Sequence, residues 1–419
     1  MSERPVDLSR RDFLKRVGLV GAAMGVPGVL AACGGETGEE ASPSPTRPTA
    51  PKGELRIGLL VPLSGTYASL GRDMQNGFRL YLDRHDGELG GHKVQVVDAE
   101  TEANPEVGLR AARRLLEEER TPIVTGVVSS AVAAGVRDLF HESKRPLIVS
   151  NAGANDLTRT KRSPHIFRTS FSNWQPSFSL GEWAVEELDI EGFFIIAPDY
   201  GAGHEAAEAF RQSYVEEGRG RVISERFPPF GTTQDYQPYL SQISESGARG
   251  TFAFFSGGEA ISFVQQYAQF GLKEDMPLIG PGFLTDEGVL EAQEDAALGI
   301  RTSLHYSGLL DNETNQSFVA DYEEAFGTPA TVFAVQSYDA AQLIDLALKD
   351  HDGDPTDGEA VSEALANVGN LDSPRGVFHL DPETHNPVQT FYIREVKEVD
   401  DGLGNVVLKD LGKYQDPGT

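Results

Sequence analysis

The stretch Glu54-Leu55-Arg56-Ile57-Gly58-Leu59-Leu60-Val61-Pro62 decides the fold class. It is a continuous apolar run closed by a proline, too short for a helix and suited to a strand buried on both faces. Directly downstream, Met74, Phe78, Tyr81 and Leu82 recur at i, i+4, i+7 and i+8, the spacing of a single apolar helical stripe. The pair repeats along the chain. Strands are expected over residues 92–97, 122–127, 146–149, 193–197, 221–226, 251–255 and 276–280, with helices over 106–118, 132–140, 176–188, 203–214, 236–244 and 260–270. Strands separated by single helices imply right-handed crossovers and parallel sheets covered on both faces. A break near residues 165–170 divides the alternation into two blocks of similar size, so the expected fold is α/β, with two doubly wound lobes built on parallel-sheet cores. Helical stripes around Phe318–Phe326 and 332–349, followed by β-type runs at 376–380, 390–396 and 405–411, fit a chain that returns to the first lobe and finishes in the second.

The 419 residues leave room for two or three domains with ample cores. A single Cys excludes an intramolecular disulfide framework and a Cys-based zinc site. The balance of 36 Lys and Arg against 64 Asp and Glu, a net charge of −28, argues against nucleic acid as a partner, because phosphate binding needs a basic face.

The first 52 residues read as an address. Arg10-Arg11 precedes a mildly apolar run from Val17 to Ala32 that is short for a membrane span and carries four Gly, followed by Leu30-Ala31-Ala32-Cys33. Paired arginines ahead of such a run read as a twin-arginine export signal. The last string resembles a bacterial lipobox, which makes 1–32 a signal peptide and Cys33 the lipidated N-terminus. Residues 34–52, rich in Ser, Pro, Thr and Gly, then form a flexible tether. Without residues 1–32 the charge becomes −30, from 31 basic and 61 acidic residues.

Ligands of open α/β sheets bind outside the carboxyl ends of the strands. Those positions hold Leu63-Ser64-Gly65-Thr66-Tyr67, Val128-Ser129-Ser130, Ser150-Asn151-Ala152-Gly153-Ala154, Pro198-Asp199-Tyr200-Gly201, Ser256-Gly257-Gly258 and Pro281-Gly282-Phe283. Hydroxyls and free backbone N–H groups at helix N-termini are natural anion donors. No loop holds a convergent set of titratable groups, which favours binding over catalysis. Gly201-Ala202-Gly203 has the outline of a dinucleotide fingerprint, but three residues separate it from its strand and its third position is Ala206, so a tight turn is the better reading. Asp350, Asp352 and Asp354 alternate like a calcium loop, yet Pro355 and Val361 stand where its glycine and closing glutamate belong. No zincin helix, nucleophile elbow or P-loop occurs, and no cofactor or metal is expected.

The lipoprotein signal, the tether, the strand running into Pro62-Leu63-Ser64-Gly65 and the loop Asp199-Tyr200-Gly201-Ala202-Gly203 together resemble the branched-chain-amino-acid-binding-like, type I solute-binding proteins of ABC transporters. The resemblance spans Glu54 to Leu411. It implies a Venus-flytrap architecture with a three-segment hinge, one lobe from 53–169 plus about 306–372 and the other from 170–305 plus about 373–419. It also implies solute trapped by lobe closure, delivery to a permease with a cytoplasmic ATPase, a monomer, and membrane contact through the lipid anchor alone.

For site residues the resemblance matches Ser129 and Ser130 to the carboxylate anchor, and Tyr200 and Phe333 to aromatic positions. Ala154 replaces a hinge-side threonine, Leu70 an aromatic, and Gly282 the glutamate that pairs with an ammonium. A buried ammonium without a counterion is costly, which disfavours a free amino acid. The segments 150–155, 167–176 and 252–258 are similar to a subgroup associated with aromatic carboxylates of the benzoate and phenylpropanoid type. Physically, Phe171, Trp174, Tyr200 and Phe255 can offer flat apolar walls to such an acid, with lobe core the competing reading for Phe254 and for Phe171, and Tyr67, Ala152, Gly153 and Gln175 complete the site. Arg168 either reaches the anion or braces the hinge. A branched-chain amino acid or small amide is the alternative solute. An extracellular sensor and a nucleotide-dependent dehydrogenase are the alternatives of other classes.

Overall fold

The computed structural model describes residues 53–419 apart from 219, 352 and 401. The signal peptide, Cys33 and the tether expected from the sequence lie outside the described residues. Within the described residues the backbone builds two sheets. The first joins β1 (Glu54–Val61), β2 (Glu88–Leu89), β3 (His92–Glu100), β4 (Ile123–Gly126), β5 (Leu147–Val149) and β6 (Ile166–Arg168) in the order β2-β3-β1-β4-β5-β6. The second is built from β7 (Gly192–Ile196), β8 (Arg221–Arg226), β9 (Gly250–Ala253), β10 (Leu278–Pro281), β11 (Arg301–Leu304), β12 (His379–Leu380), β13 (Pro387–Val399) and β14 (Gly402–Tyr414). Its order is β12-β13-β11-β10-β9-β7-β8, with β14 added on β13.

β1 lies at the centre of its sheet, parallel to β3 and β4, with Ile57 opposite both Val96 and Ile123. Its apolar run is buried because helices cover both faces. Gly58 lets that cover come close: a Cβ there would stand 2.9 Å from Leu115 Cδ1 on helix Pro105–Glu117 and push that side chain aside. That helix starts where the sequence allows it, with the Asn104 side chain accepting from the N–H groups of Glu106 and Val107 and a proline in the first turn. Helix Ala68–Arg84 packs so closely on helix Val332–Lys349 that a side chain at Gly77 would collide with the Ala334 carbonyl. Tyr81 Oη also donates to Asp345 Oδ2 at 2.6 Å. The late helices therefore cover the first sheet, and the chain then ends in the second.

The strands and helices of the alternating blocks form where the sequence pattern puts them. The tail differs in detail: β13 and β14 each run 13 residues and pair antiparallel, so the second sheet is mixed around its parallel centre. A connection this short allows only an antiparallel pair. β11 has no counterpart among the expected strands. It is buried between β10 and β13, and its polar residues are satisfied internally, Ser303 Oγ by Ser179 Oγ at 2.7 Å and Thr302 Oγ1 by Arg394.

Three buried arginines tie down the passages between the sheets. Arg168 donates to the carbonyls of Phe171, at 2.5 Å, and of Ala154. Arg375 donates to the Thr169 carbonyl at 2.7 Å and pairs with Asp339 at 3.0 Å. Arg394 donates to the carbonyls of Tyr306 at 2.7 Å and Gly282 at 2.9 Å. Burial pushes Arg168 and Arg375 down to about 10, so both remain cations at neutral pH. Arg168 thus braces the first passage.

Candidate functional site

Three helices begin at the carboxyl ends of parallel strands and aim their N-termini at one cavity between the sheets. They are Ser130–Ser143 after β4, Gly201–Arg211 after β7 and Gly257–Gln269 after β9. The residues preceding them, Ser129, Tyr200 and Ser256, have no side-chain capping bond, so the first N–H groups of all three helices are left for other acceptors. Aligned peptide dipoles make each such end favourable for negative charge.

The cavity and its mouth hold about 320 Å³ of atom-free space, the solvent-open part included. Six aromatic rings line it: Tyr67, Phe171, Tyr200, Phe254, Phe283 and Phe333. Phe283 is the centre of the apolar wall, with ring centroids 4.8 Å from Phe171, 6.1 Å from Phe333 and 6.4 Å from Phe254. The polar lining is Ser130, Asn151, Asn173 and Ser256, with Leu70, Val128, Gly153 and Ala202 filling between. Among the described residues that line it there is no Asp, Glu, His, Lys or Arg. Gly153 must lack a side chain, since a Cβ would collide with Asn173 Oδ1 and come within 2.5 Å of Phe171 Cε2.

The two sides touch, so the cleft is closed. Tyr67 Oη, from the loop after β1, is 3.3 Å from Tyr200 Oη, and Phe230 packs on both rings. Burial raises both phenols well above their ordinary value, and they remain protonated. Glu205 accepts from the Asn155 N–H and from Asn173 Nδ2 at 2.7 Å. Its pKa is raised by burial against the lowering effect of those bonds. Asn151 Nδ2 donates to Gln336 Oε1 at 2.8 Å, and Gln336 Nε2 lies 2.9 Å from Nε2 of His305, which burial keeps neutral.

Of the expected site residues, the structure brings Tyr67, Ser130, Gly153, Phe171, Tyr200 and Phe333 to the cavity. Ser129 is buried off the cavity lining with an unpartnered Oγ. Ala152 and Ala154 present their carbonyls to Ser170 and Arg168, and Ala154 also lines a neighbouring groove. Trp174 turns away to stack on Phe178 at 4.2 Å, with Nε1 donating to Gln212. Gln175 bonds the carbonyls of Pro387 and Tyr414. Phe255 packs in the core of the second sheet against Phe263 at 4.6 Å, and Gly282 lies against Arg394 and Leu304. Phe254, expected in the core, is part of the buried hydrophobic cluster and also lines the cavity. Phe283, Asn173, Asn151 and Ser256 line it too; the sequence places the loops of Phe283, Asn151 and Ser256 at strand ends but carries no signal for which residue of each turns inward, and Asn173 enters only within the segment 167–176.

Just behind the Ser256 loop, Glu259 accepts from the Gly231 N–H at 2.8 Å while its other oxygen is buried without a partner. Burial pushes its carboxyl up to about 7. The folded chain therefore holds this proton more tightly than the unfolded one. That contribution to stability is complete below about 4.5 and is lost as the pH rises through about 7. Glu259→Gln is expected to melt above wild type at pH 8, with the gap closing by pH 5. A gap of equal size at both pH values would contradict this assignment.

Residues 54–402 match the model of the periplasmic binding protein family. The chain is 31% identical over 370 residues to Leu/Ile/Val-binding protein homolog 6 of Brucella melitensis, covering 87% of this chain and 93% of that protein. A solute-binding protein of an ABC transporter from R. palustris, solved in complex with benzoate, is 37% identical, with a TM-score of 0.82 over 87% of this chain and 98% of that one. A second, from Rhodopseudomonas palustris BisB5 in complex with 3,4-dihydroxybenzoic acid, is 32% identical, with a TM-score of 0.82 over 87% and 99%.

Proposed function

The chain belongs to the periplasmic binding protein family, the solute-binding components of transporters, and we propose that its solute is an aromatic carboxylate of the benzoate or phenylpropanoid type. One observation carries this reading: a small closed cavity whose walls are six aromatic rings and whose only charge preference comes from three uncapped helix N-termini. The rings offer flat apolar faces to an arene, and the N-termini with the Ser130 hydroxyl offer donors to its carboxylate. An α-ammonium would find no carboxylate on the lining, which counts against leucine or valine despite the names of some relatives. The ligands of the two R. palustris proteins support the aromatic class.

The lobes we assign are 53–169 with about 306–372, and 170–305 with about 373–419, supported by the two sheets and by the return of the late helices to the first. Solute enters the open cleft, the lobes close by hinge motion at the arginine-braced passages, and the closed form docks on a permease driven by a cytoplasmic ATPase. We assign the protein no enzymatic role, on the ground that its family comprises solute-binding components of transporters. From the sequence we further propose a monomer held outside the cell membrane through lipidated Cys33 and the tether.

Thermal shift of the chain from Gly53 onward tests the solute class, with benzoates, hydroxycinnamates, leucine, valine and urea. A ligand at ~100 times its Kd stabilises by ~2.7 kcal/mol. We expect a clear rise with at least one aromatic acid; a rise with leucine or valine and with no aromatic acid would overturn the reading.

A further inference from the structure

Behind the polar side of the cavity runs a hydrogen-bond relay that crosses between the two halves. Glu205, on helix Gly201–Arg211 of the second half, accepts from the Asn155 N–H of the first, at 3.1 Å to Oε1 and 3.2 Å to Oε2. Its Oε2 also accepts from Asn173 Nδ2 at 2.7 Å. The same Nδ2 stands 3.5 Å from Ser130 Oγ. The amide is pinned at its other end: the Asn173 N–H donates to the Gly153 carbonyl at 2.7 Å, and Asn173 Oδ1 sits against the open face of Gly153.

Hydrogen-bond capacity gives this relay a direction. An ionised carboxylate only accepts, and a primary amide nitrogen carries two hydrogens. Glu205 takes one hydrogen of Asn173, which leaves the other for Ser130. Ser130 Oγ then serves as acceptor toward Asn173, so its own O–H is the free end, and Ser130 lines the cavity. We infer that Glu205 is a positioning residue for solute recognition: through Asn173 it sets Ser130 as a donor, so the site takes an acceptor such as a carboxylate and disfavours a group that must itself donate to Ser130. This rests on the carboxylate reading given above. Because Ser130 and Asn173 come from opposite halves, as do Asn155 and Glu205, the relay is complete only in the closed cleft, which couples the orientation of Ser130 to closure.

The test is calorimetric titration with benzoate and benzamide of wild type, Glu205→Gln, Ser130→Ala and the double variant, with Asn173→Ala alongside. Glutamine is isosteric but has both donor and acceptor ends, so it no longer sets the direction of the Asn173 amide. Losing one oriented hydrogen bond is expected to weaken benzoate binding about tenfold in Glu205→Gln and in Asn173→Ala. The preference for benzoate over benzamide is expected to fall in both. In the Ser130→Ala background, Glu205→Gln is expected to change affinity by less than about twofold, because the relay no longer has an end. Asn173→Ala carries the same expectation if Glu205→Gln does not fold. Wild-type binding of benzoate with unchanged affinity in Glu205→Gln, or equal weakening of benzoate and benzamide, or strictly additive effects in the double variant, would each overturn the relay alone. Failure of the wild type to bind any aromatic carboxylate would overturn the carboxylate reading and the relay with it.

Discussion

Asp339→Ala is expected to lower folding stability by about 3–5 kcal/mol, the usual cost of removing one partner from a buried ion pair. Asp339 and Arg375 are both fully buried, with Arg375 Nε 3.0 Å from Asp339 Oδ2, and Ser373 Oγ donates to the same carboxylate at 2.9 Å. Burial pushes Asp339 up to about 6 and Arg375 down to about 10, so desolvation outweighs their mutual attraction and the pair is held by the surrounding fold. Without Asp339, the Arg375 cation keeps neutral acceptors, the Thr169 carbonyl and Gln389 Oε1 at 2.7 Å each and the Ser170 carbonyl at 3.4 Å. These bonds join helix Val332–Lys349 to two of the three passages between the lobes. Urea denaturation checks the result: a midpoint unchanged from wild type would show that the pair does not hold the hinge together.

Phe283→Ala is expected to weaken binding of an aromatic acid at least about thirtyfold, the scale of losing a central anchor in a dry pocket. Phe283 is the one ring in the cavity that meets three others, Phe171, Phe254 and Phe333. Its removal opens a gap on the wall that we assign to the arene, while Ser130 and the helix N-termini stay in place. Stability is expected to fall as well, because the ring is buried. Affinity measured well below the melting temperature separates the two effects. Unchanged affinity would place the arene elsewhere in the cleft.

The parallel centres of both sheets were legible because strands buried on two faces are written as unbroken apolar runs, Glu54–Val61 above all. β11 was not, because its Thr302 and Ser303 are buried with partners far away in sequence, and nothing local distinguishes them from a loop. The site was legible loop by loop, since strand ends mark it, and less so residue by residue. Phe254 and Phe255 illustrate why. Successive side chains of an extended segment point to opposite sides, so one of the pair faces the cavity and the other packs on Phe263, and the sequence does not say which. Trp174 shows the same limit at a helix start, where its ring follows Phe178 along its own helix. Glu205 and Asn173 carry no motif at all. They are 32 positions apart, and only the folded chain brings them together.

The most direct measurement is a calorimetric titration of the chain from Gly53 onward with 4-hydroxybenzoate and, separately, with leucine. Saturable binding of one aromatic acid per chain is expected, with no heat of binding from leucine. Saturable binding of leucine with none from the aromatic acid would contradict the proposed solute class.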